Sequence, residues 1–254
     1  MSVTRERLAA LYRYMEAVAP PLPALAAVRS YPRFFRDRRR YGAMVGAAPL
    51  RRRDDYPCLV DWTETTPFDP HYTYQDGWAA RRLAARMPSE HVDVGSRVSF
   101  VVGLSAFVPV TFVDLRPLAL TLSGLRTVRG DLLGLPFADR SVDSLSCLHV
   151  AEHVGLGRYG DELDPEGTVK AARELQRVLA HEGNLYFSLP VGLARTEFNA
   201  HRVHDPRDIP VMFDDLCLVE FAGVNDAGEF RTDLEPADLV GSRWACGFYV
   251  FARD

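Results

Sequence analysis

Long apolar runs are missing from this chain. The most hydrophobic stretch near its start, RLAALYRYMEAVAPPLPALAAV, is interrupted by Arg13, Glu16 and three prolines, and no later run approaches the ~20 residues of a membrane span. Cysteine is sparse as well. Cys58, Cys147, Cys217 and Cys246 are widely spaced with no C-x-x-C pair, which excludes a small disulfide scaffold and fits reduced core residues. Neither sign of charge dominates: 30 Lys and Arg against 34 Asp and Glu leave a formal net charge of -4, without the basic excess of a dedicated nucleic-acid binder. No internal repeat is present. The expectation is a cytoplasmic protein with no membrane span and no nucleic-acid partner.

What is present is ordinary for a globular protein: 254 residues, 47% hydrophobic and 25% charged, enough to bury a full core. One feature is uneven. Eight arginines fall between Arg33 and Arg53, in RFFRDRRR and RRR. Such a run is either a solvated face or a docking patch for phosphate, an acidic partner or the peripheral surface of an anionic membrane. Upstream, Leu8, Leu11, Met15 and Val18 predict an amphipathic helix over Thr4 to Ala19, stopped by prolines. The Pro- and Arg-rich stretch after it, to about Pro70, predicts an extended wrapping segment with one short strand at Cys58-Leu59-Val60. This divides the chain into an N-terminal helical and extended segment, 1–71, and a main domain, 72–254.

In the main domain a helix is expected over Gln75 to Met87, and then short apolar strands alternate with helices and turns. Strands are expected at His91–Val94, Pro109–Leu115, Arg126–Gly130, Val142–Val150 and Asn184–Leu189, with a helix at Phe100–Phe107. The clearest helix precedes the fifth strand, with Asp164 as N-cap, Pro165 at the first position and Gly183 past its end. Asp205 and Pro206 open another. Strands at Cys217–Val224 and Ala245–Ala252 follow, joined by a polar loop. Alternation of this kind means an α/β fold with a mostly parallel sheet covered on both faces, whose ligands bind at the carboxyl ends of the strands. Read in order, those ends carry Asp93-Val94-Gly95-Ser96, Asp114, Gly130-Asp131 and His149-Val150-Ala151-Glu152-His153. A glycine after the first strand and an acid 19 residues later, at the second strand end, form the order of a nucleoside site.

The segments HVDVGS, FVDLRP, GDLLGLPFADRSVDSLSCLHVAEHV and GNLYFSLPVG resemble the successive motifs of Rossmann-like S-adenosylmethionine-dependent methyltransferases. LPF, AEHVGLGRYGD and FNAHRVH are similar to an uncharacterised methyltransferase-like family associated with bacterial surface-polysaccharide genes. The resemblance covers Tyr72 to Asp254. It implies a Rossmann-like seven-stranded sheet with an antiparallel C-terminal strand, helices on both faces, and S-adenosylmethionine over the first two strands. It also implies cofactor contacts from Asp93, Gly95 and Ser96, with Asp114 on the ribose and Asp131 and Leu132 beside the adenine. The family's glycine-rich turn is acidic-x-G-x-G-x-G, whereas Asp93-x-Gly95-x-Arg97-x-Ser99 keeps only the first glycine. Arg97 either obstructs the cofactor or pairs with its carboxylate.

Methyl transfer to a hydroxyl needs alignment and a base, and His153, His149 and Glu152 stand at the substrate-side strand end, with His153 favoured. Arg158 and Tyr159 in the following glycine-rich loop, with His201 and Arg202, are candidates to clamp a phosphate and stack on a sugar. The aromatic span FDPHYTYQDGW supplies Tyr72 and Trp78 as a cover or sugar platform, or as packing onto the sheet. The acceptor class is therefore a small molecule or glycan, phosphate-bearing in one form, and no metal is expected. Two readings compete: a degenerate scaffold of a polysaccharide assembly complex, and a zinc hydrolase built on His149-x-x-Glu152-His153 with His201 and His204.

Overall fold

The computed structural model describes residues 21–254; the helix expected over Thr4–Ala19 lies outside them. The chain divides into two compact units, one ending at Pro67 and one running from Phe68 to Asp254. In the first unit α1 spans Pro21–Gly42, where the proline content predicts an extended segment. Pro21 and Pro23 fall in its first turn, whose N–H groups have no helical partner to lose, and Pro32 is carried inside the helix. The arginine cluster lies on this helix and the loop beyond it. Arg38 Nε bonds both carboxylate oxygens of Asp55 at 2.7 and 2.9 Å, and the Arg33 guanidinium sits 3.9 Å from the centre of the Trp62 ring. Cys58-Leu59-Val60 is irregular rather than a strand, following Pro57 and pairing with no strand among the described residues.

The second unit begins four residues before Tyr72, because the Asp69 carboxylate caps α2 (Pro70–Arg86) by accepting the Tyr72 N–H at 3.2 Å. Pro70 at the first helical position fits for the same reason as Pro21. Then come β1 (His91–Val94), α3 (Val98–Leu104), β2 (Val110–Asp114), β3 (Leu125–Arg129), β4 (Val142–Leu148), α4 (Gly167–Val178) and β5 (Leu179–Val191). A small ribbon of β6 (Arg195–Glu197) and β7 (His201–Val203) precedes α5 (Asp208–Met212), β8 (Cys217–Val224), β9 (Phe230–Arg231) and β10 (Ala245–Ala252). The main sheet has the order β3-β2-β1-β4-β5-β10-β8-β9. β1 to β5 are parallel, and β10 runs antiparallel between β5 and β8. It has eight strands where seven are expected; the addition is the two-residue β9 at the edge.

Successive side chains of a strand face opposite layers, and both layers are apolar. Leu185, Phe187, Leu189, Tyr249 and Phe251 pack with Ala171, Ala172 and Leu175 of α4, while Tyr186, Phe248 and Val250 pack with Trp78 and Leu83 of α2 and Phe100 of α3. α4 starts at Gly167, three residues after the expected cap. Asp164 instead accepts the Glu166 N–H at 2.9 Å and pairs with Lys170 Nζ at 2.6 Å. Gly183 is no helix end either, since the chain passes directly from Val178 into β5. No described helix is long and apolar enough to cross a membrane.

Candidate active site

The turn after β1 is anchored from below. Asp93 is fully buried; its Oδ1 accepts the Ser96 N–H at 3.0 Å and its Oδ2 accepts the Ser146 hydroxyl of β4. Ser96 Oγ in turn accepts the Leu148 N–H at 3.1 Å. Asp93 and Ser96 therefore brace the turn instead of facing a ligand, which corrects their expected role as contacts. Gly95 takes φ +69°, and a Cβ there would meet Val150 Cγ1 at 3.0 Å. A side chain at this point would also fill the space above the strand end.

That space is the floor of a cleft of about 510 Å³ at the carboxyl ends of β1 to β4. Gly95, Asp114, Asp131, Leu132, His149, His153 and Tyr159 all line it. Asp114 Oδ1 accepts the Arg116 N–H at 2.7 Å and Asp131 Oδ1 accepts the Leu133 N–H at 2.9 Å, so each carboxylate is oriented through one oxygen. Five carboxylates line the cleft, from Asp114, Asp131, Asp161, Glu162 and Asp164, against Arg116, Lys170 and the His149 ring, which is paired with Glu152 outside the lining. The balance favours a ligand that carries positive charge.

Beneath the β4 end lies a layer of imidazoles around one carboxylate. His149 has φ +57°, a conformation rare for a side-chain-bearing residue, and Ala151–His153 forms a 3-10 turn. Glu152 Oε1 lies 2.8 Å from His149 Nδ1 and 3.6 Å from His153 Nε2, while Oε2 is buried with no hydrogen-bond partner among the described residues. His149 Nε2 faces Cys246 Sγ at 3.1 Å. Burial opposes charge on both His149 and Glu152, yet the pairing wins: the imidazole is held well above its ordinary pKa and the carboxyl below its own. Burial also pushes the Cys246 thiol up. His153 Nδ1–H donates to the Ala200 carbonyl at 2.6 Å, so the lone pair of the neutral ring lies on Nε2.

Other expected site residues lie elsewhere. Trp78 takes the packing alternative and is neither cover nor platform; it is buried against Tyr186 and Phe248, and its indole N–H donates to Glu220 at 3.2 Å. Arg202 is no phosphate clamp, because its guanidinium is spent on the carbonyls of Val154 and Asp164, at 2.6 and 2.8 Å. Arg158 is exposed and donates to the Ala200 carbonyl at 3.1 Å. The guanidinium carbons of Arg158 and Arg116 lie 5.2 and 4.5 Å from the centre of the Tyr159 ring. His201 packs on Trp244 with ring centres 4.5 Å apart. Tyr72 lies over the His149 ring at 4.8 Å, and Arg97 is held over Tyr72 and 3.9 Å from Asp76, so it neither lines nor obstructs the cleft.

The H-x-x-E-H reading fails on geometry. It needs two histidines one turn apart on a helix, but His149 directly follows a strand and both rings converge on Glu152 Oε1, the acid of the motif, which stands where a metal would have to be. Two residues here have no role in the sequence reading, His71 and Trp244, and Cys246 is read there only as a reduced core residue. The His71 ring stacks on Trp244 at 5.5 Å and lies 5.8 Å from that of His149. Burial depresses the His71 pKa to about 4. No local motif links positions 71, 149 and 246; only the insertion of β10 beside β5 brings them together.

A family model described as "Caenorhabditis protein of unknown function, DUF268" matches residues 137–239. No curated protein matches the chain in sequence. Among solved structures, the N-methyltransferase NodS from Bradyrhizobium japonicum WM9, in complex with S-adenosyl-L-homocysteine, is 16% identical with a TM-score of 0.50, covering 86% of this chain and 97% of its own. A candidate sarcosine dimethylglycine methyltransferase from Galdieria sulphuraria is 15% identical, with a TM-score of 0.51 and coverage of 70% and 85%. The fold is that of the Rossmann-like methyltransferases. The [4+2]-cyclase SpnF matches as well, at 13% identity and a TM-score of 0.51 over 71% of this chain and 80% of its own, so the reaction has to be argued from the site.

Proposed function

We propose that this protein is an S-adenosylmethionine-dependent methyltransferase whose acceptor is a hydroxyl of a sugar, a nucleotide sugar or a lipid-linked glycan in surface-polysaccharide biosynthesis. The observation that carries the reading is the acidic cleft over β1 to β4, with Asp114 at the end of β2 and an open floor at Gly95. A ligand with both a sulfonium and an ammonium group suits that excess of carboxylates. S-adenosylmethionine, when bound, supplies a methyl group that is already activated. The residues then bind and align: Asp114 accepts hydrogen bonds from ribose hydroxyls, and Asp131 and Leu132 take the base edge. His153 Nε2 takes the acceptor proton, and Glu152 at 3.6 Å stabilises the imidazolium so formed. Tyr159, near Arg116 and Arg158, offers a ring face for a sugar beside cations for a phosphate.

The test is a thermal melt with S-adenosylhomocysteine. At about 100 times its dissociation constant a ligand stabilises the fold by about 2.7 kcal/mol, and Asp114→Ala is expected to lose the shift. No shift in the unaltered protein overturns the reading in favour of a non-catalytic scaffold.

A further inference from the structure

Among the described residues the molecule holds one cluster of strong metal-ligating atoms, which adjoins the cleft through His149. His71, at the start of α2, His149, after β4, and Cys246, at the start of β10, are all buried, and one donor atom from each lies within 4.8 Å of the others. We propose that these three residues bind a thiophilic divalent cation, zinc by the chemistry of its donors, independently of the methyl-transfer reading. Two imidazoles and a thiol form a borderline-soft set that suits zinc and is poor for magnesium or calcium. With zinc bonds of about 2.0–2.3 Å, tetrahedral donors stand roughly 3.3–3.7 Å apart, so Nε2 and Sγ, now at 3.1 Å, need only small movements.

A second observation points the same way. His149 Nδ1 is bonded to the buried Glu152 carboxylate at 2.8 Å, the outer-sphere pairing that orients a metal-bound imidazole and fixes Nε2 as its ligand atom. Aromatic faces steady both rings, Trp244 on His71 and Tyr72 on His149. Three protein donors leave a fourth position for water or another small ligand, and the His149 ring, which lines the cleft, gives a route of entry.

The experiment uses the full chain with Cys58→Ser and Cys217→Ser, which removes the two exposed thiols. The protein is stripped with chelator and titrated with Co²⁺ alone. Expected are one cobalt per chain, tetrahedral d–d bands, a thiolate-to-cobalt charge-transfer band, and displacement by one equivalent of Zn²⁺. Cys246→Ser should abolish the charge-transfer band. Glu152→Gln should weaken binding about 10- to 100-fold while keeping it. Absence of the band in the Cys58/Cys217-substituted parent overturns the proposal even if the further variants fold poorly, and so does a band that survives Cys246→Ser.

Discussion

His91 and Asp93 share one hydroxyl. Ser146 Oγ lies 2.8 Å from His91 Nε2 and donates to Asp93 Oδ2, while Ser144 Oγ lies 2.8 Å from His91 Nδ1. Ser146 gives its proton to the carboxylate and so accepts from Nε2–H, leaving Nδ1 to accept from Ser144; the imidazole is neutral. Burial drives the two groups apart in pKa, with His91 depressed to about 3 and Asp93 raised to about 6.

The pair predicts opposing pH slopes. His91 is neutral in the fold, so its contribution is full above pH 6.5 and is lost as pH falls toward 3, a total of about 5 kcal/mol. Asp93 has a raised pKa, so its contribution is full at low pH and about 3 kcal/mol is lost as pH rises from 3.8 through 6. Between about pH 4 and 6 the slopes cancel. Urea unfolding across that window should show Asp93→Asn losing stability on acidification relative to the unaltered protein. His91→Asn should show the reverse, and parallel curves would contradict the assignment.

His153→Gln should lower turnover by about 10²- to 10⁴-fold on the true acceptor with S-adenosylhomocysteine affinity unchanged, as measured by calorimetry and initial rates. Normal turnover would make His153 structural.

Lys170 is the only lysine in the chain, lines the cleft and pairs with Asp164. Brief amine acylation followed by peptide mapping should modify it, and S-adenosylhomocysteine should slow that reaction severalfold. Equal labelling with and without the ligand would place the ligand elsewhere.

Gly155 and Gly160 both have positive φ, +80° and +88°, but a Cβ at Gly155 would lie 2.2 Å from the Asp164 carbonyl oxygen while one at Gly160 meets open space. Gly160→Ala should cost about 1–2 kcal/mol from conformation alone. Gly155→Ala should cost distinctly more in the same denaturation experiment, because it adds the collision to the conformation.

The strands and the cleft could be read in the sequence because each rests on a local signal: an apolar run, or a carboxylate or glycine directly after it. Asp114 and Gly95 were found in this way. What escaped was set by partners far along the chain. Trp78 stays open in the sequence between a platform and packing onto the sheet, because nothing near it announces Phe248 and Glu220; the structure selects the packing. Arg202 looked free because main-chain carbonyls, which leave no mark in a sequence, take its guanidinium. α1 is hidden by its prolines, two of them in a first turn that tolerates them and Pro32 inside the helix.

The antiparallel β10 also sets an order of assembly. It lies between β5 and β8 yet follows both in the chain, so until it is made each neighbour carries an unpaired edge, and these are edges of strands rich in apolar residues. Without β10 the strand order falls into β3-β2-β1-β4-β5 and β8-β9, with a gap one strand wide. The hydroxyls, carboxylates and imidazoles of β1 and β4 can be in place without it, but Cys246 cannot be. Closure of the sheet and completion of the His71–His149–Cys246 cluster are therefore a single event, made by the same eight residues.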